Sequence, residues 1–310
     1  MQGPTDGIMG LGRGFVVGAV MALAAFRFDV ASAAEEGAVS FTAEDGAATV
    51  PFENLGGLVV LPVSIGGSRP LRFVLDSGAG RMVIDRAVAD ELGLVREGSG
   101  YVMGAGAGAL RVEYVRDVTL TLPGLASSGH ELAALDLAPL ANTLGGRVDG
   151  VIGYHLFERT VVEIDYRGGR VTFRAPERFS YRGPGAELPL EIERHWPFVR
   201  GELVLEDGTV IPDRFLVDSG SSDSVDHPVV RDLGGRRETE TGVGLGTPTR
   251  GHVARARAFR LGPFRVDAPT VACCGAREET SRLIGSGVLS RFRVIFDYGR
   301  RRLILEPPAD

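Results

Sequence analysis

The alternation of apolar and polar residues in this chain has the period of strands rather than helices. "LVVLPVSIGG" (58–67) and "RVEYVRDVTLTL" (111–122) alternate or run apolar over five to eight positions rich in β-branched residues. "DYRGGRVTF" (165–173) and "DYGRRRLIL" (297–305) read as hairpins that turn at glycine. Only short helices are predicted. One is "DRAVADELG", with Asp85 as its cap and Gly93 at its end; the other is "DHPVVRDLGG", with Asp226 as its cap and Pro228 in its first turn.

These elements come in two ordered sets. The first runs from "RFVLDSGAG" (72–80) to "MGAGAG" (103–108), "DGVIGYHLF" (149–157) and "VVEIDYRGGRVTF" (161–173). The second runs from "RFLVDSGSS" (214–222) to "GVGLG" (242–246), "RLIGSGVLSRF" (282–292) and "RVIFDYGRRRLIL" (293–305). Gly153 to Asp165 and Gly285 to Asp297 each span 12 residues, while the other spacings differ as loops allow. A tandem duplication explains this order. Copy one covers 57–176 and copy two 190–308, joined by a Pro- and Gly-containing linker at 177–189 and preceded by a segment at 34–56. Each copy is expected to be a compact, closed or nearly closed β unit with one short helix.

Composition narrows the class. The chain has 310 residues, enough for a core without staples, and 44 glycines and 17 prolines suit a turn-rich β protein. A formal net charge of -6 argues against a nucleic-acid partner, and all 34 basic residues are arginine. After Arg13 come thirteen apolar or small residues and then Ala31-Ser32-Ala33, a small-x-small cleavage pattern, so residues 1–33 read as a signal peptide and the protein as periplasmic or secreted. An uncleaved membrane tether is the alternative, although a span needs roughly 17 to 25 residues. The two cysteines, Cys273 and Cys274, are adjacent and are expected to sit reduced in a strand, because a bridge between neighbours is strained.

The repeated Asp-Ser-Gly is the candidate chemistry. A lone triplet of this kind is a turn, but two at equivalent strand ends can face each other across a pseudo-twofold axis. Asp76 and Asp218 would then share one site, in which they cannot easily both ionise. One carboxylate takes a proton from a water while the other, protonated, donates to the carbonyl that the water attacks. Gly78 and Gly220 let the backbone bend beneath the carboxylates; Ser77 and Ser219 either bond across the interface or close a local turn.

With these residues in place, the sequence resembles the bacterial aspartyl proteases of the retropepsin-like kind, here with two lobes in one chain. "FVLDSGA" and "FLVDSGS", each followed by "VIG" or "LIG" and a closing "IDY" or "FDY" hairpin, carry the resemblance over residues 50–307. It implies a mainly β, acid-protease (pepsin or retropepsin-like) fold of two pseudo-twofold related lobes. It further implies peptide hydrolysis without metal or other cofactor, Asp76 and Asp218 as catalytic residues, and a monomer acting on a peptide or protein substrate. "GYVMGAGAG" of copy one stands where a flap over the substrate would be, with Tyr101, Gly104 and Gly106 as contacts. Asp-Ser-Gly replaces the commoner Asp-Thr-Gly, and "DSGSSDSVD" sets Asp223 and Asp226 near Asp218, where copy one has "RMVI". That extra charge would either raise the dyad's affinity for a proton or mark a lobe that binds peptides without cleaving them.

Other chemistries fit less well. A glycosidase pair needs no duplicated lobe, no Gly-x-Ser-x-Gly occurs, and His130, His155, His195, His227 and His252 lack ligand spacing. "GAGAG" and "GVGLG" lack the Gly-x-Gly-x-x-Gly form of a nucleotide loop and read as hairpin tips. Trp196 is expected to pack, and Arg300 to Arg302 to form a solvated hairpin.

Overall fold

The computed structural model describes residues 37–241, 244–273 and 282–308. The expected signal peptide lies outside these residues. The fold is mainly β, as the alternating pattern requires, and its strands form three sheets.

The first sheet runs, in spatial order, Val39–Phe41, Leu125–Leu135, Met82–Asp85, Gly150–Ile152, Leu71–Leu75, Leu58–Ile65, Ala109–Leu122 and Glu97–Met103, with Glu53–Leu55 on the side of Leu58–Ile65. Leu125–Leu135 also pairs with Ala109–Leu122. The third sheet runs Arg237–Thr241, Thr249–Arg255, Thr270–Cys273, Val225–Asp226, Leu283–Ile284, Val210–Val217, Trp196–Val204, Ala258–Leu261 and Phe264–Asp267. The two share a local wiring. Leu71–Leu75 and Val210–Val217 each lie parallel to the short strand of "VIG" or "LIG", and that strand in turn pairs antiparallel with the one following Asp-Ser-Gly.

Both copies contribute to the second sheet, of order Ala186–Pro189, Arg302–Glu306, Arg293–Asp297, Val161–Asp165, Arg170–Arg174 and Ala47–Pro51. Its centre is the antiparallel pairing of the two "IDY"/"FDY" strands, Glu163 opposite Ile295. The segment 34–56 therefore supplies strands to two sheets, and the linker ends in a strand rather than running free. One buried apolar cluster reaches from Phe73 and Phe157 to Phe215 and Phe296, so the copies share a core.

Several local expectations are corrected. Asp85 caps its helix, accepting from the N–H groups of Ala87 (2.9 Å) and Val88 (3.2 Å). Asp226, however, ends a strand, and the cap of the short 3-10 helix Pro228–Asp232 is His227, whose Nδ1 accepts from Val229 N–H. Counting from each Asp-Ser-Gly shows why: Asp85 and His227 occupy the same place, and an imidazole nitrogen can accept as a carboxylate does. Cys273 is buried and disulfide-bonded, not reduced; Cys274, the only other cysteine, lies outside the described residues. Trp196 is buried as expected. Arg300 and Arg302 are not merely solvated, because both close on the buried carboxylate of Asp297.

Candidate functional site

Asp76 follows the strand Leu71–Leu75 and Asp218 follows Val210–Val217. Each is held by the neighbouring short strand, Asp76 N–H donating to the Ile152 carbonyl and Asp218 N–H to that of Ile284, both at 2.9 Å. The glycines at Gly153 and Gly285 follow from this arrangement. A Cβ at either would run into the backbone of the active loop, at Ala79 or at Asp223 and Ser221.

The two loops interlock through their serines. Ser77 N–H donates to Ser219 Oγ and Ser219 N–H to Ser77 Oγ, each at 2.9 Å. Ser77 Oγ donates to the Val217 carbonyl (2.6 Å) and Ser219 Oγ to that of Leu75 (2.9 Å). All four bonds cross between copies and are buried, so the cross-interface alternative for the serines is the one realised. Ser219→Ala leaves the Ser77 N–H and the Leu75 carbonyl unpaired and buried, at about 1 to 3 kcal/mol for each group. A loss of about 2 to 5 kcal/mol is expected in urea unfolding; a loss below about 1 kcal/mol would mean the lock is not structural.

Within this lock the carboxyls meet. Gly78 N–H donates to Asp76 Oδ1 (2.8 Å) and Gly220 N–H to Asp218 Oδ1 (2.9 Å). Each glycine also faces the opposite aspartate: a Cβ at Gly78 would lie 2.7 Å from Asp218 Cγ, and one at Gly220 would collide with the Asp76 carboxyl. Close approach therefore demands glycine at both positions. Asp76 is 0 % and Asp218 1 % exposed, and neither Oδ2 has a donor among the described residues. The two carboxyls face each other in this buried space, where they cannot easily both ionise, so one of them keeps a proton. Burial pushes both up: Asp76 well above the usual carboxylate range, helped by the charge of Asp218, and Asp218 to about 6 despite its Asp76 partner and the Gly220 N–H, which lower it.

A second carboxyl pair stands beside the first. Asp223, 7 % exposed, and the half-buried Asp226 are close neighbours; desolvation is the main cause that raises both, to which the charge of Asp226 adds at Asp223 and the charge of Asp218 adds at each. Asp223 moves well above the usual range and Asp226 to about 7. At the same distances from Asp76, copy one has Arg81, paired with Glu131, and the apolar Ile84.

Gly104 and Gly106 lie at the tip of the hairpin made by Glu97–Met103 and Ala109–Leu122, and Tyr101, within its first strand, is 64 % exposed. The tip meets a second tip, from the hairpin of Arg237–Thr241 and Thr249–Arg255. Gly106 N–H donates to the Leu245 carbonyl (2.9 Å), Ala107 N–H to that of Thr247 (2.8 Å) and Thr247 N–H to that of Ala107 (3.0 Å). A Cβ at Gly104 or Gly106 would strike this partner. Leu245 is buried in an apolar cluster with Ala79, Val102 and Leu135 of copy one. The position of "GVGLG" in the repeat, matching that of "GAGAG", was the signal for this second tip.

A family model described as aspartyl protease matches residues 61–156. That stretch holds Asp76 and "VIG" and stops before Asp218, so copy one is similar to aspartyl proteases and copy two is linked to it by the repeat. No curated protein matches the chain.

Proposed function

We propose that the chain is an aspartic endopeptidase whose two copies, 57–176 and 190–308, form barrel-like lobes related by a pseudo-twofold axis. The observation that carries this reading is the buried contact of Asp76 and Asp218, each bonded to its own glycine N–H and left without any other donor among the described residues at Oδ2. A carboxyl pair holding one proton is at once a general base and a general acid. The ionised member draws a proton from a water held between the Oδ2 atoms, and the resulting hydroxide attacks the peptide carbonyl. The protonated member donates to the carbonyl oxygen, giving a neutral gem-diol and returning the shared proton to the pair. Collapse expels the amine, protonated in the same way.

The two tips are the cover of this site. With the tips bonded and both carboxyls out of solvent, the molecule is in its closed form, and an extended peptide enters when the tip bonds open. The enzyme acts as an exported monomer on peptide or protein substrates, freed at Ala34 by removal of residues 1–33.

One observation favours a second reading, a peptide-binding protein without turnover: the Asp223 and Asp226 pair beside Asp218. A diverse peptide library incubated with protein beginning at Ala34, from about pH 3 to 8 to span the range of such a pair, separates the two. Internal cleavage is expected, greatest above about pH 6, where the pair keeps a single proton. Retention of peptides without cleavage at every pH would establish the binder instead.

A further inference from the structure

Three left-handed residues that are not glycine converge on one pocket. Arg194 (φ 50°) and His195 (φ 74°) form the two-residue turn between Glu191–Glu193 and Trp196–Val204, and Arg301 (φ 50°) turns between Arg293–Asp297 and Arg302–Glu306. Turns of this kind prefer glycine or asparagine, since a side chain is strained at positive φ. Copy one follows that rule. Its equivalent turns carry Gly56 and Gly57 (φ 60° and 94°) and Gly169 (φ 64°). Copy two therefore puts Arg, His and Arg where the fold itself asks only for glycine.

All three line a cavity of about 490 Å³ together with Tyr154, Glu158 and Tyr298. His195 stacks on Tyr154, with ring centres 4.3 Å apart and planes 20° apart, so copy two's turn is braced on copy one's helix Tyr154–Arg159. At the matching place in copy one, Gly57 packs directly towards Ser286. The carboxylate in the pocket is already engaged: Glu158 accepts from Tyr154 O–H at 2.9 Å. The guanidiniums are not. Arg300 and Arg302 close on Asp297, but Arg301 between them has no carboxylate partner among the described residues, and neither does Arg194, although Arg214 nearby binds Glu191 and Glu193. Tyr298 lines the pocket at 6 % exposure, its hydroxyl without a partner among the described residues.

We infer that this pocket is an oxyanion-binding site, in which Arg194 and Arg301 clamp a carboxylate or phosphate beside the His195 and Tyr154 rings. Guanidiniums suit such groups because their N–H donors match two oxygens at once. Backbone strain kept at residues whose side chains share one cavity is the pattern of a functional site. The oxyanion comes either from a small molecule or from an acidic peptide segment, and the ligand touches both copies. The inference does not depend on peptidase activity.

The test uses calorimetric titration of protein beginning at Ala34 with inorganic phosphate and, separately, with tetraglutamate. The variants return copy two to copy one's residues: R194G/H195G and R301G. At least one probe should bind the parent protein, at least tenfold more weakly to each variant, while both variants melt no lower than the parent because strain is relieved. Phosphate alone binding identifies a small-molecule site, and tetraglutamate alone an acidic peptide site. Failure of both probes to bind the parent, or equal binding to parent and variants, overturns the inference. Variants that bind weakly but also melt well below the parent overturn it too, since the three residues would then be structural.

Discussion

Asp76→Asn and Asp218→Asn should each abolish peptide cleavage, by about 10³-fold or more, while leaving the protein as stable at neutral pH or more so. The first half of this expectation follows from sharing. With a single proton between two carboxyls, replacing either one removes the base or the acid, and the survivor titrates as an ordinary buried carboxyl. The second half follows from burial. Both residues are sealed from solvent with Oδ2 undonated among the described residues, so each charge at neutral pH costs stability, and a neutral amide of the same shape relieves that cost. The Ser77 and Ser219 lock uses only backbone and hydroxyl atoms and is untouched by either change. Rates and melting temperatures of both variants at pH 7.5, with rates repeated in acid, check the pair. Loss of cleavage in one variant alone would rule out a shared water between equal partners. Loss accompanied by a fall of several degrees in melting temperature would mean that the carboxyls are structural.

The juxtaposition of Asp76 and Asp218 was legible because duplication writes the same constraint twice. The strand into Asp-Ser-Gly, the glycine of "VIG" or "LIG" and the closing hairpin each answer to a contact now visible: a backbone bond at Ile152 or Ile284, and a passage too narrow for Cβ. The short helix after Asp85 was legible for the same reason, as a cap and an end. What failed were inferences drawn from one copy alone. Asp226 was given to the helix because aspartate is a common cap, whereas the position counted from Asp218 belonged to His227. The reduced state expected of Cys273 rested on the strain of a bridge between neighbours, and its disulfide overturns it. The meeting of the two tips needed three dimensions, since nothing in a glycine-rich run specifies its partner.

Stability should fall as pH rises from about 5 to 8, the reverse of the behaviour of a protein held by paired carboxylates. Three buried carboxyls, Asp76, Asp218 and Asp223, and the half-buried Asp226 set this sign. In the unfolded chain an aspartate titrates near 3.8; folded, Asp218 moves to about 6 and Asp226 to about 7, and Asp76 and Asp223 are raised well above 3.8, all chiefly through desolvation. Between those limits the folded state holds protons that the unfolded state has released. Raising the pH therefore favours unfolding through these carboxyls; burial lowers His130, His155 and His227, which opposes part of the fall up to about pH 6.5, so the descent is steepest above that. Each retained proton contributes a slope of at most about 1.4 kcal/mol per pH unit, so a total loss of several kcal/mol is expected. Below about pH 4 the trend turns, because Glu91 and Asp213 are held below their ordinary values, Glu91 by its bonds with Arg69 and Asp213 by bonds from Arg214, Arg282 and His227 that outweigh its burial. Protonating those two costs stability, so the maximum falls at about pH 4 to 5. Urea unfolding at half-unit intervals measures the curve, and Asp226→Asn should flatten its descending limb by up to one proton's slope while leaving the acid limb in place. A curve that is flat or rising from pH 5 to 8 would mean that the second pair is solvated and not proton-bound. The same protons bear on catalysis, because a pair that must share one proton works only above the lower of its two values, about 6 for Asp218, so activity peaks on the alkaline side of the stability maximum.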